Sequence, residues 1–531
     1  MSTAPTALDA PAAPMSRREV LESISGIMLG MLTTILSSTV VSTSLPVIVH
    51  DLGGSQSAYT WVVTASLLTM TVTTPIWGKL ADLFSRKLLV QIALGIFIVS
   101  SMLAGLSQET WHLITMRAFQ GVGAGGLMSL SMVLIADIIS PRERGKYVGV
   151  LAGVMSIGTL GGPLLGGVIT DVIGWRWNFY VGVPLALAAL VVLQRTLHLP
   201  YRERRRVQID YLGAVLIAAG VSTLLLWVSL AGRQFDWLSA QTAVLVTGAL
   251  VLLALALRVE SRAAEPIIPL ALFRNRTITL TTIASVTVGM GMFGAVVFLA
   301  QYMQIARDKT PTESGLLTIP LMLGSLVAST VIGQLVTRTG RYKPFMLGGT
   351  VSLTIGLALL STIDHHTSFA LLGVYMALVG LGMGSCMQNL ILAAQNSADI
   401  RQMGVATATV TFFRTLGGAI GVAALGAVLS NRVSVLIADG LAALGGDAGA
   451  GVGGSVPDPS ALPPAVREVV ERSYAQGVSD LFLAAVPFGI IAIVAIALMP
   501  ERPLGTKNGI QQLAEQPDDI GADTGAALAS R

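Results

Sequence analysis

Almost uncharged apolar stretches, each roughly 18–27 residues long, recur along the whole chain, and the polar segments between them carry nearly all the charge. At the rise of a helix, such a stretch is long enough to cross the ~30 Å hydrocarbon layer of a bilayer. Fourteen of them occur, near 24–49, 58–78, 88–107, 111–136, 146–170, 178–197, 211–231, 239–258, 277–303, 314–337, 345–363, 368–393, 404–429 and 479–498. The pattern predicts an all-α polytopic membrane protein with fourteen transmembrane spans. Composition agrees: 53% of residues are hydrophobic, 12% are charged and the mean hydropathy is +0.73. That is about half the charge of an ordinary soluble domain.

Charge then orients the spans. With the N-terminus inside, 24 of the 33 Lys and Arg fall in cytosolic segments and seven in outer loops, while Arg117 and Arg414 lie within spans. This is the bias expected when positive loops stay in the cytosol. It places both termini in the cytosol. It also accounts for a pI near 9.3 without a nucleic-acid partner. Trp61, Trp111, Trp175, Trp177, Trp227 and Trp237 fall at the predicted outer face, as an interfacial aromatic belt would. The single cysteine, Cys386, excludes an intrachain disulfide and suggests no metal site, and no cofactor is expected.

The chain repeats itself. Gly333, Leu335 and Arg341 have the mutual spacing of Gly78, Leu80 and Arg86, offset by 255 residues. Gly121, Gly123 and Gly125 match Gly380, Gly382 and Gly384, and Thr159-Leu-Gly-Gly162 matches Thr415-Leu-Gly-Gly418, at nearly the same offset. Two related halves are how many secondary transporters are built. The predicted organisation is a cytosolic tail (1–23), a six-helix bundle (24–200), a basic hinge with an inserted span pair (201–270), a second six-helix bundle (271–500) and a second tail (501–531). The second bundle is expected to carry a long outer loop at 430–478, with a surface helix as a reading of its later part, Ala465 to Tyr474.

Between spans 2 and 3 lies Gly78-Lys-Leu-Ala-Asp82-Leu-Phe-Ser-Arg86-Lys87. Gly78 permits close helix approach, Asp82 can cap a helix or meet a cation, and Arg86 and Lys87 hold the turn in water. Span 4 carries Arg117-Ala-Phe-Gln120-Gly121, an arginine that is either a functional group, being costly to bury, or one near enough to the outer end to snorkel to water. In span 5, Gly158, Gly162 and Gly166 repeat every four residues, with Pro163 and Gly167 among them. One face of that helix is bare backbone, and the proline cannot donate to the Thr159 carbonyl.

These motifs resemble those of the major facilitator superfamily: the loop its span 2–3 signature, span 4 its Arg-x-x-Gln-Gly order, span 5 the glycine–proline motif of its exporters. Gly174-Trp175-Arg-Trp177-Asn178 and Phe412-Phe413-Arg414-Thr415-Leu-Gly417-Gly418 are similar to segments of its fourteen-span drug:proton antiporters, and the resemblance covers about residues 24–500. It implies the major facilitator fold, two six-helix bundles plus two extra central helices. It further implies a non-enzymatic secondary exporter of small amphipathic drugs or antibiotics, coupled to protons and working by alternating access. The gate would be Gly78, Asp82, Arg86 and Lys87. Two positions depart from the family: Ser37 stands where the subfamily usually has Asp, and Ser66 where it commonly has Tyr.

Cargo would bind between the halves, with Thr34, Ser37, Ser66, Thr282, Ser285 and Arg414 as candidate cavity residues. Since no acid lies near the middle of a span, proton coupling falls to carboxylates at span ends, Asp171 outside and Asp137 inside. Two intramembrane arginines without an acid lead to the expectation that neutral or anionic cargo is preferred. An exporter of lipid or glycolipid on the same fold is an alternative reading, and a non-transporting sensor or assembly partner a further one.

Overall fold

The computed structural model describes residues 17–138, 144–197, 210–231, 235, 238–263, 266, 269–398, 402–444 and 462–501. In chain order the helices are α1 (Arg17–Asp51), α2 (Gln56–Leu83), α3 (Arg86–Gly105), α4 (Thr110–Ile138), α5 (Arg144–Val172), α6 (Trp177–Tyr180), α7 (Gly182–Thr196), α8 (Tyr211–Leu230) and α9 (Ala240–Glu260). After a 3-10 turn at Leu270–Arg274 follow α10 (Arg276–Gln301), which runs into a π-helical turn (Tyr302–Ala306), then α11 (Pro311–Leu317) and α12 (Ile319–Thr339). The chain continues through α13 (Lys343–Leu360), α14 (Phe369–Ser397), α15 (Met403–Ala443) and α16 (Pro464–Ala497). Each of the fourteen predicted apolar stretches coincides with a helix, the sixth divided into α6 and α7 and the tenth into α11 and α12. Eleven helices among the described residues are long and apolar enough to cross a membrane, and Leu212–Val228 forms a shorter apolar one.

Local chemistry sets the helix ends. Ser55, Ser239 and Ser368 accept from backbone N–H groups at the starts of α2, α9 and α14. Thr310 and Glu313 form a reciprocal capping box at the start of α11, with Pro311 in the first turn. Gly340 ends α12 at φ +69°, a left-handed conformation that glycine adopts without steric cost. The expected outer loop at 430–478 is shorter than its Gly, Ala and Pro content suggested. α15 continues to Ala443 and α16 begins at Pro464, because each apolar face has a partner there: Gly440 seats Val469, and Gly477 seats Val433 and Leu429. Arg432 and Asp480 join the two extensions at 2.7 Å.

The helices pack in two groups, α1–α5 with α6 and α7, and α10–α16, while α9 pairs with α8, which touches α2 and α15. Both groups use bare glycine backbone in the same alternation. A β-carbon on Gly121 or Gly125 would strike the carbonyls of Ser66 and Met70 on α2, and one on Gly123 that of Ala93 on α3. In the second group, Gly380 and Gly384 meet the carbonyls of Leu321 and Ser325 on α12, and Gly382 that of Gly349 on α13. Ser66 and Leu321 stand 255 positions apart, as do Met70 and Ser325, so the sequence repeat is also a repeat of contacts. Without a hydrophobic drive between helices in lipid, such close backbone approach is what holds spans together.

Candidate substrate pathway and gates

The end of the molecule where α1 begins is called the near end here, and the end where α1 finishes the far end. Polar contacts between the two helix groups gather at the far end. Gln56 on α2 and Gln301 on α10 exchange amide hydrogen bonds of 3.0 and 2.5 Å, both side chains buried. Tyr59 donates to the Val297 carbonyl at 2.9 Å, and Gln304, in the π-helical turn, donates to the Thr43 carbonyl of α1 at 2.5 Å. Asp171, at the far end of α5, accepts from the backbone N–H of Thr312 in the first turn of α11 at 2.9 Å. A carboxylate is favoured there by the partial positive charge of a helix N-terminus.

The span 5 motif builds this contact. Gly158 lies against Leu32 and Ile35 of α1, Gly162 against Thr39, and Gly166 against the Val40 backbone. Thr39 also donates to the Gly158 carbonyl at 3.1 Å. Gly167 faces the other way, onto the Pro311 and Thr312 backbone of α11, while Gly315 of α11 faces the Pro163 carbonyl. Glycines on one helix thus seat α5 both within its own group and against the opposite one.

The gate-loop residues sit at the near end, where only Phe84 and Ser85 separate α2 from α3. Gly78 approaches Ser129 of α4, Arg86 donates to the Ala81 carbonyl at 3.3 Å, and Lys87 donates to the Gln194 carbonyl of α7 at 2.7 Å. Asp82 occupies the last turn of α2; its side chain, like that of Asp137 on α4, lies outside the described residues.

The two intramembrane arginines differ. Arg117 is 4% exposed; it donates to the Val62 carbonyl of α2 at 3.3 Å and to Gln120, which in turn donates to Ser101 of α3 at 2.8 Å. This chain ties α2, α3 and α4 together inside the first group. Arg414, half-buried on α15, donates to the Met387 carbonyl of α14 at 3.2 Å. Among the described residues no carboxylate pairs with it.

The candidate cavity residues differ in their surroundings. Ser37 is turned inward within its own group, its hydroxyl against Gly182 of α7 and without a hydrogen-bond partner. Thr34 and Thr282 bond back to the Gly30 and Ile278 carbonyls of their own helices, the usual satisfaction of a hydroxyl within a helix. Ser66 is half-buried on α2, its carbonyl under Gly121. Ser285 is buried on α10 with an unpartnered hydroxyl, one turn before Gly289, which packs on the Arg414 carbonyl. The glutamines at the far end were not singled out from sequence, although an amide at the end of an apolar run is itself a signal of a polar contact. Trp175 also departs from the expected belt: it is 3% exposed and donates to Asp51 at 2.7 Å. Among the described residues no three His, Cys, Asp or Glu side chains gather as a metal site.

A membrane protein whose described residues form two repeated groups of helices, with polar contacts between them at the far end, fits a class of transporters. The Major Facilitator Superfamily model matches residues 27–422, and the chain belongs to that family. It is 36% identical over 533 residues to the MFS-type transporter Rv1877 of Mycobacterium tuberculosis, covering 99% of this chain and 75% of that one. It is 37% identical over 426 residues to the multidrug transporter protein MdtP of Bacillus subtilis, covering 80% and 78%. Among solved structures, the inward-facing bacterial homolog of the human lysosomal transporter Spinster matches with a TM-score of 0.63 at 15% identity, over 91% of this chain and 97% of that one. That likeness is one of fold.

Proposed function

We propose that this transporter is a secondary exporter of small hydrophobic or amphipathic compounds, drugs and antibiotics among them, working by alternating access between two six-helix bundles. The bundles are residues 24–200 and 271–500, with the pair within 201–270 completing fourteen spans. The near end faces the cytosol, with both termini, and the far end faces outward across the bacterial inner membrane. The observation that carries the reading is the α5–α11 contact, in which the exporter-type glycine–proline motif itself forms part of the far-end closure. The multidrug transporter MdtP, at 37% identity, supports the cargo class.

In this reading cargo enters from the cytosol between the bundles while the far-end contacts are made. Those contacts then break for release, as the near-end loop of Gly78, Asp82, Arg86 and Lys87 closes. Protons are the proposed coupling ion. Asp171 is the candidate outer carboxylate and Asp137 the candidate inner one. Protonating Asp171 weakens its hold on the α11 N-terminus, which links outer acidity to outer opening.

Flux of an amphipathic dye from proteoliposomes holding the purified protein tests the proposal. Export that is driven by a pH gradient, and is lost in Asp82→Asn with insertion intact, is the expected result. Absence of dye flux in the wild-type protein refutes export. Flux indifferent to the gradient refutes antiport alone, and gradient-driven flux that survives Asp171→Asn removes only that carrier.

A further inference from the structure

Arg414 stands on a polar stripe of α15. Thr407, Thr411 and Arg414 are spaced four and three residues apart, so they share one face, and all three are half-buried. Gln395 of α14 donates to the Thr407 hydroxyl at 2.8 Å, so the stripe runs along the α14–α15 seam from the near end toward the middle of the span. At its inner limit the guanidinium makes one hydrogen bond, to the Met387 carbonyl, although the group carries five donors. The Ser285 hydroxyl, buried and unpartnered, stands on α10 one turn before Gly289, which packs on the Arg414 carbonyl. Arg117 shows the alternative arrangement: fully enclosed, and engaged by a carbonyl and an amide within its own bundle.

A guanidinium deep in a span that makes a single hydrogen bond is costly to keep unless a further acceptor reaches it. No carboxylate among the described residues does so. We infer that Arg414 selects cargo by charge: it receives an anionic or strongly hydrogen-bond-accepting head group, such as a carboxylate or phosphate, and disfavours permanent cations. This rests on the exporter reading and names the substrate class for it. A unit cation ~10 Å from the guanidinium at an effective dielectric near 20 is disfavoured by roughly fifteen-fold in affinity relative to a neutral analogue.

The test uses the full chain in phosphatidylcholine nanodiscs and three probes of matched chain length: dodecanoate, a dodecyl glucoside and dodecyltrimethylammonium. Binding is read by competition against a bound fluorescent dye, with dye flux from proteoliposomes measured in parallel. The expected order is anion, then neutral, then cation, with about fifteen-fold between the last two. Arg414→Gln should collapse that spread, and Arg414→Lys should keep part of it, at an unchanged melting temperature. If phosphatidylglycerol doped into the nanodisc competes with dodecanoate, a lipid head group is the source of the anion; if it does not, the soluble amphiphile is. Either outcome keeps the site. Equal or tighter binding of the cation, or an unaltered spread in Arg414→Gln, overturns the inference while dye flux still stands for the exporter reading. Loss of all binding together with all flux overturns both.

Discussion

Gly167 of α5 lies so close to Pro311 of α11 that a β-carbon on it would come within 2.4 Å of the Pro311 carbonyl oxygen. Gly315, returning the contact, would place a β-carbon 2.5 Å from the Pro163 carbonyl. Since neither backbone can yield locally, the two helices approach only while both positions stay glycine.

Gly167→Val should therefore hold the bundles apart at the far end and reduce export at least ten-fold while the protein still folds. Gly161→Ala, at a position with no neighbouring atom within 4 Å, is the matched control and should leave export near normal. Spin-label distances across the far end, measured in both variants, check the cause. An unchanged distance in Gly167→Val would place the defect elsewhere.

The Gln56–Gln301 pair closes the same end through two neutral amides. Replacing one by Ala leaves the other buried without its partner, at a cost of about 1–3 kcal/mol. Gln56→Ala should thus move the equilibrium toward the far-end-open state by roughly 5- to 150-fold. A bifunctional maleimide joining Gln56→Cys to Gln301→Cys should arrest transport. The native Cys386 is buried and leaves such labelling unconfounded.

Arg117→Ala is expected to act on stability rather than on cargo choice. It removes the donor to the Val62 carbonyl and leaves the Gln120 amide oxygen without its donor in a buried site, while Gln120 still donates to Ser101, a loss of about 1–3 kcal/mol. Thermal unfolding in detergent should show it as a lowered midpoint, with the ranking of dyes unchanged in what remains folded. A native midpoint with altered ranking would move Arg117 into the cargo site.

Asp364, in the turn between α13 and α14, has its carboxyl held below the ordinary carboxylate range. The Thr367 hydroxyl is the largest cause, followed by the His366 backbone N–H. Because the folded value is depressed, the stabilisation is present above the ordinary range and is lost as pH falls through the lowered value. Asp364→Asn should melt slightly below wild type at neutral pH, and the two should converge in strong acid. Its export should keep the wild-type pH profile between pH 5 and 8; a shifted profile would assign Asp364 a part in coupling.

The sequence alone determined the apolar helices, since run length and composition mark them, and the repeat, since Gly121 and Gly380 recur with their neighbours at one offset. It also isolated the glycine–proline motif, because a glycine every fourth residue means one bare helix face wherever the partner lies. The repeat does not say which partner, however, and α5 turns out to use Gly162 on α1 and Gly167 on α11. Single hydroxyls were the least legible. Whether Ser37 meets the opposite bundle or Gly182 of its own depends on helix rotation, and a run that is apolar all round carries no amphipathic stripe to fix rotation. The extension of α15 to Ala443 read as loop because propensity is local, whereas it is held by contacts between α15 and α16. The arginines make the same point. Both are equally conspicuous in sequence, and Gln120 is one turn from Arg117 on its own helix, but only tertiary packing supplies the Val62 carbonyl to Arg117 and the Met387 carbonyl to a half-buried Arg414. A buried charge is defined by what surrounds it, and those groups come from helices far away in the chain.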